Sequence, residues 1–371
     1  MPEVFPHTNL RRSPYYEATI ADGVTLVHPY NRMLLPLGYG DPEAEYRRLV
    51  EGVSMWDVAA ERQVQLKGPD AAQLAQILCT RDLTSCVAGQ GKYVAVCNHA
   101  GTIINDPIVL KIDDDCFWFS IADSDLRLWA NCVAGERGLN VEISEPDVSP
   151  LAVQGPLADD VVAAIFGDWV RNLRHFWFRD AEIDGIPLRV ARSGWSKQGG
   201  FELYLMDGSR GLDLWNIVKE AGKPWEIAAG YPNPSERIES GLLSWGGDVD
   251  EHTNPFEVRL GRFVDLDVPD DVIGIEALRT LATGGPRRHQ LGVVLRGDEP
   301  RPGHNRWYDI EKNGIKVGDM TNGVWSFKLR RNIGFGLVSV ECQTGDDVQV
   351  RKGDELIDAR LTAIPFREED R

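Results

Sequence analysis

A chain of 371 residues, 43% hydrophobic and 26% charged, can bury a large core and hold two or three domains. Its formal net charge of -17 excludes the broadly basic surface that nucleic acids or anionic membranes require, while leaving small-molecule partners open. No run approaches the roughly 20 apolar residues of a membrane span, and Met1–Arg12 has no apolar segment of the secretory type. Cys79, Cys86, Cys97, Cys116, Cys132 and Cys342 include no C-x-x-C pair, and the histidines are scattered. The expectation is a cytoplasmic protein with free thiols and no metal site.

In chain order, Gly23–Tyr30 reads as a strand. Asp41-Pro42 then supplies a helix N-cap and N1 proline before Tyr46, Leu49, Val50 and Val53 at helical spacing. Arg62–Lys67 alternates as a strand, and Pro69–Leu78 is helical. From Lys92 hairpins dominate: Tyr93–Cys97, Ile103–Ile112 and Cys116–Ile121, separated by turns. Helices are expected at Asp123–Cys132, Pro156–Phe166, Ser209–Ala221 (with Ser209 as N-cap) and Ser235–Trp245. After Gly284 helical periodicity stops, and short strands between turns predict a separate all-β module at 284–371, following an α+β region at 1–283.

Nucleotide-binding loops and the G-x-S-x-G elbow are missing. The stretch Ala191–Leu205 carries chemistry instead. Gly194, Gly199 and Gly200 let a turn approach a ligand, and Trp195, Ser196, Lys197 and Gln198 furnish it with one ring and several polar groups. A decorated hairpin would show the same pattern. Glu202 alternates with Phe201 and Leu203, so its side chain leaves the face they occupy. Asp106 interrupts an apolar run, and is either a solvated turn residue or a buried carboxylate needing a donor. Gln154 either caps a strand or faces a site. Arg237 and Gly241 fall one helical turn apart.

Taken together these segments resemble the folate-dependent aminomethyltransferase family (glycine-cleavage T protein and relatives). The segment Gly89–Val109, with Tyr93 and Asn105-Asp106-Pro107, is similar to that family's tyrosine-to-D-D-L-I-V segment. Leu151–Pro156 matches L-x-x-Q-G-P, Arg192–Tyr204 resembles R-T-G-Y-T-G-E-x-G-F-E, and Arg237-Ile-Glu-Ser-Gly241 with Trp245-Gly246 resembles L-R-L-E-A-G…Y-G. Asn254–Glu257, Ile273–Leu278, Gly318–Gly323 and Ile333–Val338 follow in place, so the resemblance spans nearly the whole chain. Within the family the likeness is greatest to dimethylsulfoniopropionate demethylases, through Tyr30–Pro36, Trp56–Gln63, Ser120–Asp125 and Ala191–Gly200.

The resemblance implies an α+β, three-domain cloverleaf: two α+β domains plus a C-terminal antiparallel β-barrel or jelly roll, with tetrahydrofolate in the central hole. It implies folate contacts at Tyr93, Asp106, Ile108, Trp195, Glu202 and Arg237, with Glu202 on the pterin edge and Arg237 on the glutamyl carboxylate. Asp106, Trp195 and Tyr204 are the expected catalytic residues; Tyr30, Arg32, Trp177, Trp195, Tyr204 and Trp245 are the expected donor pocket. Three of these depart from the demethylase pattern: Arg32 replaces a histidine, Trp245-Gly246-Gly247-Asp248 replaces Y-G-N-D, and Trp177 has no aromatic counterpart. The expected reaction moves a methyl group from a small sulfonium donor to N5 of tetrahydrofolate. Its alternatives are demethylation of a quaternary ammonium or aryl methyl ether, aminomethyl transfer in glycine cleavage, or non-catalytic folate binding. No nucleic-acid or membrane partner is expected, and a homodimer is the candidate assembly.

Overall fold

The computed structural model describes residues 9–303 and 307–368. The chain divides into two compact units. The first comprises Met1–Ala72, Cys86–Lys92 and Ile108–Asn233; the second comprises Gln73–Ser85, Tyr93–Pro107 and Pro234–Arg371. No helix among the described residues is long and apolar enough to cross a membrane.

The first unit is built on a six-stranded sheet, in the order Phe178–Ile183, Ile186–Ala191, Gly200–Leu205, Ser149–Gln154, Ser54–Asp57, Ala228–Gly230. Only the last pair runs parallel. Alternation decides what each face buries. From Gly200–Leu205, the side chains of Phe201, Leu203 and Leu205 join Val161, Val162, Leu214, Trp215 and Val218 of helices Ala158–Phe166 and Gly211–Ala221 in the main core. The opposite face, including Tyr204, packs on Leu110, Cys116 and Trp118 of a five-stranded sheet. Every residue of Gly200–Leu205 is therefore buried, Glu202 included, because both faces are covered.

Local signals hold in places and give way in others. Asp41 caps helix Pro42–Glu51, accepting from the amides of Glu43 and Ala44 at 3.1 and 3.0 Å. The first strand begins at Leu26 and pairs with Met33–Gly38 across Asn31-Arg32, both at positive φ (48° and 60°), as a tight hairpin requires. The helix expected from Asp123 starts at Leu126 and runs to Arg137. Ser209 does not cap the helix Gly211–Ala221; Asp207 caps a short 3₁₀ turn at Gly208–Arg210 first. The expected helix Ser235–Trp245 is only Pro234–Ser240, because Gly241 turns to φ 78°. Arg237 and Gly241 thus share no helical face, and Trp245 lies beyond the helix.

In the second unit a closed, antiparallel six-stranded barrel has the order Arg288–Leu295, Arg331–Ser339, Ile315–Ser326, Tyr308–Lys312, Asp347–Lys352, Glu355–Thr362. Where the register of Ile315–Ser326 against Arg331–Ser339 shifts between Met320 and Asn322, the strands come so near that a Cβ on Gly334 would sit 1.9 Å from the carbonyl oxygen of Asn322. Its interior holds Val293, Ile310, Met320, Val338, Val350 and Leu361.

Candidate functional site

In the first unit, the loop between strands Ile186–Ala191 and Gly200–Leu205 is shaped by Gly194, Gly199 and Gly200, at φ 149°, 83° and 147°. A Cβ on Gly194 would fall 2.0 Å from Nε2 of Gln154, and one on Gly200 2.3 Å from the carbonyl oxygen of Val153. Gln154 is fully buried. Its Nε2 donates to the carbonyls of Ser193 and Phe201 at 3.1 and 3.3 Å, and its Oε1 accepts from the Ser196 hydroxyl at 2.8 Å. It is the scaffold of the loop, a role its place at a strand end does not disclose. Gly200→Ala meets backbone, which cannot swing aside, and is expected to cost about 1–3 kcal/mol by denaturant titration. An unchanged midpoint would mean that the strand pair yields freely.

Glu202 is 3% exposed. Its Oε2 accepts the Ser193 hydroxyl at 2.5 Å and the Tyr204 hydroxyl at 3.0 Å. Burial pushes its carboxyl above the usual range, and the two hydroxyls pull it back. Among the described residues no Lys, Arg or His forms an ion pair with it. A buried carboxylate without a cation carries a desolvation cost that a ligand presenting N–H groups can offset. Tyr204 is 1% exposed, inside the packing between the two sheets, and reaches Glu202 rather than solvent.

The remaining aromatic candidates of this unit are half-buried. Trp195 lies in the loop itself, Trp177 makes a bridge to Gln90 under the guanidinium of Arg174, and Tyr30 packs on the main core. Ile108 is half-buried beside the cluster that contains Tyr204. Arg32 is exposed in its turn and ion-paired with Asp125 at 3.2 Å.

A second cluster lies in the other unit. The Tyr93 hydroxyl donates to Oδ2 of Asp106 at 2.7 Å. Burial pushes the Asp106 carboxyl up to about 7, helped by the charge of Asp248 and opposed by Tyr93. Phe263 meets the Tyr93 ring edge-on at 5.0 Å and carries the guanidiniums of Arg262 and Arg81 at 4.7 and 5.3 Å. Arg237, 5% exposed, forms a buried ion pair with Asp248 and donates to the carbonyl of Leu242 at 3.3 Å. Asp248 also accepts from the Ser244 amide at 3.0 Å, the Thr321 hydroxyl at 2.9 Å and the Asn322 amide at 2.7 Å. Trp245 is half-buried, its Nε1 donating to the carbonyl of Ile103 at 3.5 Å. Ser193 and Asp248 were not singled out by sequence reasoning as a site residue and as Arg237's partner; their signals were only the R-S-G and W-G-G-D strings.

The first unit thus carries a buried glutamate without a cation, and the second a hydrogen-bonded Tyr–Asp pair and a closed barrel. Residues 15–268 match the family of the GCVT N-terminal domain, and 288–367 match the glycine cleavage T-protein C-terminal barrel domain. The chain belongs to this aminomethyltransferase family, enzymes that transfer one-carbon units with tetrahydrofolate. The dimethylsulfoniopropionate demethylase of Ruegeria pomeroyi is 42% identical to it, over 91% of this chain and 92% of that protein. The aminomethyltransferase of Thermotoga maritima is 29% identical, over 96% and 98% respectively. Its fold is that of the glycine cleavage system aminomethyltransferase T from Bartonella henselae (TM-score 0.82, 20% identity, 97% of this chain and 98% of that chain).

Proposed function

We propose that this protein is a demethylase that moves a methyl group from a small sulfonium compound, of the dimethylsulfoniopropionate type, to N5 of tetrahydrofolate. The observation that carries the choice of reaction is the 42% identity to a dimethylsulfoniopropionate demethylase, against 29% to an aminomethyltransferase. The buried, cation-free carboxylate of Glu202 fits a folate, whose pterin edge presents an amino group and a ring N–H.

Bound tetrahydrofolate supplies the nucleophilic nitrogen. Glu202 grips the pterin edge, and the Gln154-braced loop holds the pterin in register with the donor. A sulfonium already carries a good leaving group, so the protein's task is orientation more than acid catalysis. Trp195, Tyr30 and Trp177 provide aromatic faces for the cation, with Tyr204 behind Glu202. Because that attraction weakens as charge leaves sulfur, it serves binding and alignment. Arg32 suits an anionic end of the donor, and Ile108 offers an apolar wall. Taken by itself, the second unit offers Asp106, bonded to Tyr93, as a proton acceptor, Arg237, bonded to Asp248, as a cation that complements a glutamyl carboxylate, and Trp245 as an apolar wall.

Asp106 accepts a proton only when ionised. Turnover is therefore expected to rise with pH through about 7, and Asp106→Asn to lose this limb; a limb that survives the substitution assigns it to another group. The function itself is tested by mixing enzyme and tetrahydrofolate with sulfonium, quaternary ammonium and aryl methyl ether donors, and separately with an aminomethyl-loaded lipoyl carrier. 5-Methyltetrahydrofolate from the sulfonium supports the reading; 5,10-methylenetetrahydrofolate from the carrier alone overturns it.

A further inference from the structure

The buried ion pair of the second unit has a neighbour without a carboxylate. Arg237 and Arg259 both lie against Phe335, their guanidinium carbons 5.6 and 5.9 Å from its ring centre. The charge of Arg237 is already met by Asp248. Arg259 forms no ion pair among the described residues, although the chain carries a formal net charge of -17.

What holds Arg259 is neutral. Its Nε and Nη2 converge on Oε1 of Gln290 at 3.1 and 2.9 Å, and Nη2 also donates to the carbonyl of Gly241 at 2.9 Å. A guanidinium only donates, so the atom on which two of its N–H groups meet is the amide oxygen. The amide nitrogen of Gln290 is then turned away, buried and without a hydrogen-bond partner, in a residue 4% exposed. An orphaned buried donor is a cost. The backbone adds another, since Arg259 stands at φ 65°, where a side chain is strained and glycine is not.

A fastening between Gly241, past the end of helix Pro234–Ser240, and strand Arg288–Leu295 would account for the bonds. It does not account for the charge. Two neutral acceptors aim the guanidinium and leave it unneutralised, and Nη1 takes no part in their bonds. The residue as a whole is exposed, but burial at the guanidinium lowers its pKa to about 10; Arg262 adds to the fall, and Asp248 and Tyr93 oppose it. A cation that solvent reaches but hydrates poorly is placed to gain from an arriving anion.

We propose that Arg259 is a ligand-binding residue whose open guanidinium edge takes a carboxylate of one of the reaction's ligands, with Gln290 as the residue that aims it. The inference deepens the folate-dependent reading and rests on it. Two ligands of that reaction carry carboxylates: tetrahydrofolate in its glutamyl group, and a dimethylsulfoniopropionate-type donor in its propionate. Both present the planar, two-oxygen acceptor that a guanidinium matches and an ammonium does not.

The test compares the native protein with Arg259→Gly and Arg259→Lys. Glycine suits φ 65°, so the first variant removes the charge while relieving the backbone. The second keeps the charge without the fork. Calorimetry measures affinity for two pairs of ligands. Tetrahydrofolate is set against 6-methyltetrahydropterin, which keeps the pterin and has no carboxylate; dimethylsulfoniopropionate is set against trimethylsulfonium. If the carboxylate is folate's, Arg259→Gly weakens tetrahydrofolate about tenfold and leaves the pterin unchanged. If it is the donor's, dimethylsulfoniopropionate weakens by that factor and trimethylsulfonium does not. Arg259→Lys recovers part of the loss in the same arm. Equal losses for ligands with and without a carboxylate overturn the proposal, as does no loss in either pair. A lower melting temperature with both selectivities unchanged reduces Arg259 to the fastening and overturns it too. If the native protein binds neither tetrahydrofolate nor the pterin, the folate reading fails, and glutarate reads the anion site alone. A melting temperature raised by glutarate in the native protein and not in Arg259→Gly keeps the site; no rise in either removes it.

Discussion

Replacing Asp248 by Ala is expected to destabilise the protein by about 3–5 kcal/mol, the usual consequence of removing one member of a buried ion pair. The size follows from what is left behind. Asp248 is 0% exposed and Arg237 5% exposed, so the guanidinium loses its carboxylate where water cannot replace it. The Ser244 amide, the Thr321 hydroxyl and the Asn322 amide lose their acceptor together. Thr321 and Asn322 belong to the barrel strand Ile315–Ser326, whereas Arg237 lies on helix Pro234–Ser240. Asp248 is therefore the knot between the helix and the barrel within this unit. Asp248→Asn should cost less, since it keeps a carbonyl for two of the donors. Denaturant unfolding of both variants checks the order. An Ala variant as stable as the Asn variant would mean that Arg237 swings to a new partner and that the pair is dispensable to the fold.

The same pair marks the limit of what the chain discloses before it is folded. Period-2 alternation was enough to turn Glu202 away from Phe201 and Leu203, and the Asp41-Pro42 string was enough to start a helix. Both are local effects, decided within a few residues. Asp248 as the partner of Arg237 was hidden because Gly241, at φ 78°, breaks the helix that helical spacing extended to Trp245. The barrel strand Tyr308–Lys312 carries little signal of its own, because Tyr-Asp-Ile-Glu-Lys buries only Ile310 and leaves its other residues half-exposed. It exists because its neighbours Ile315–Ser326 and Asp347–Lys352 need it to close the ring. Glu202 was legible as a residue; its setting was not. Ser193 comes to it from a loop and Tyr204 from its own strand, and no spacing rule brings the loop serine to it.

That setting gives the second large effect, on binding instead of folding. Glu202→Gln is expected to weaken tetrahydrofolate binding by about 1.5–3 kcal/mol, roughly 10- to 150-fold, the worth of hydrogen bonds to a charged acceptor. Gln is the sharper probe than Ala because its carbonyl can still accept from Ser193 and Tyr204, so the support remains filled. Its amide then turns an N–H towards the pterin's own N–H edge, donor against donor, where the carboxylate accepted. Stability should hold or rise, because a buried charge without a cation has been removed. The pH dependence gives an internal check. Burial raises the folded-state pKa of Glu202 above its unfolded value, so the native form takes up a proton first as pH falls. Its affinity should then decline towards that of Glu202→Gln, since a protonated carboxyl also offers a hydrogen. The variant's own affinity should show no such limb. Stability runs the other way: ionising a carboxyl raised by burial costs the native state, so this group's contribution is lost as pH rises through its folded pKa. Calorimetry and denaturation on the two proteins separate these opposite slopes. Equal folate affinities at neutral pH, with both proteins folded, would remove Glu202 from the pterin edge.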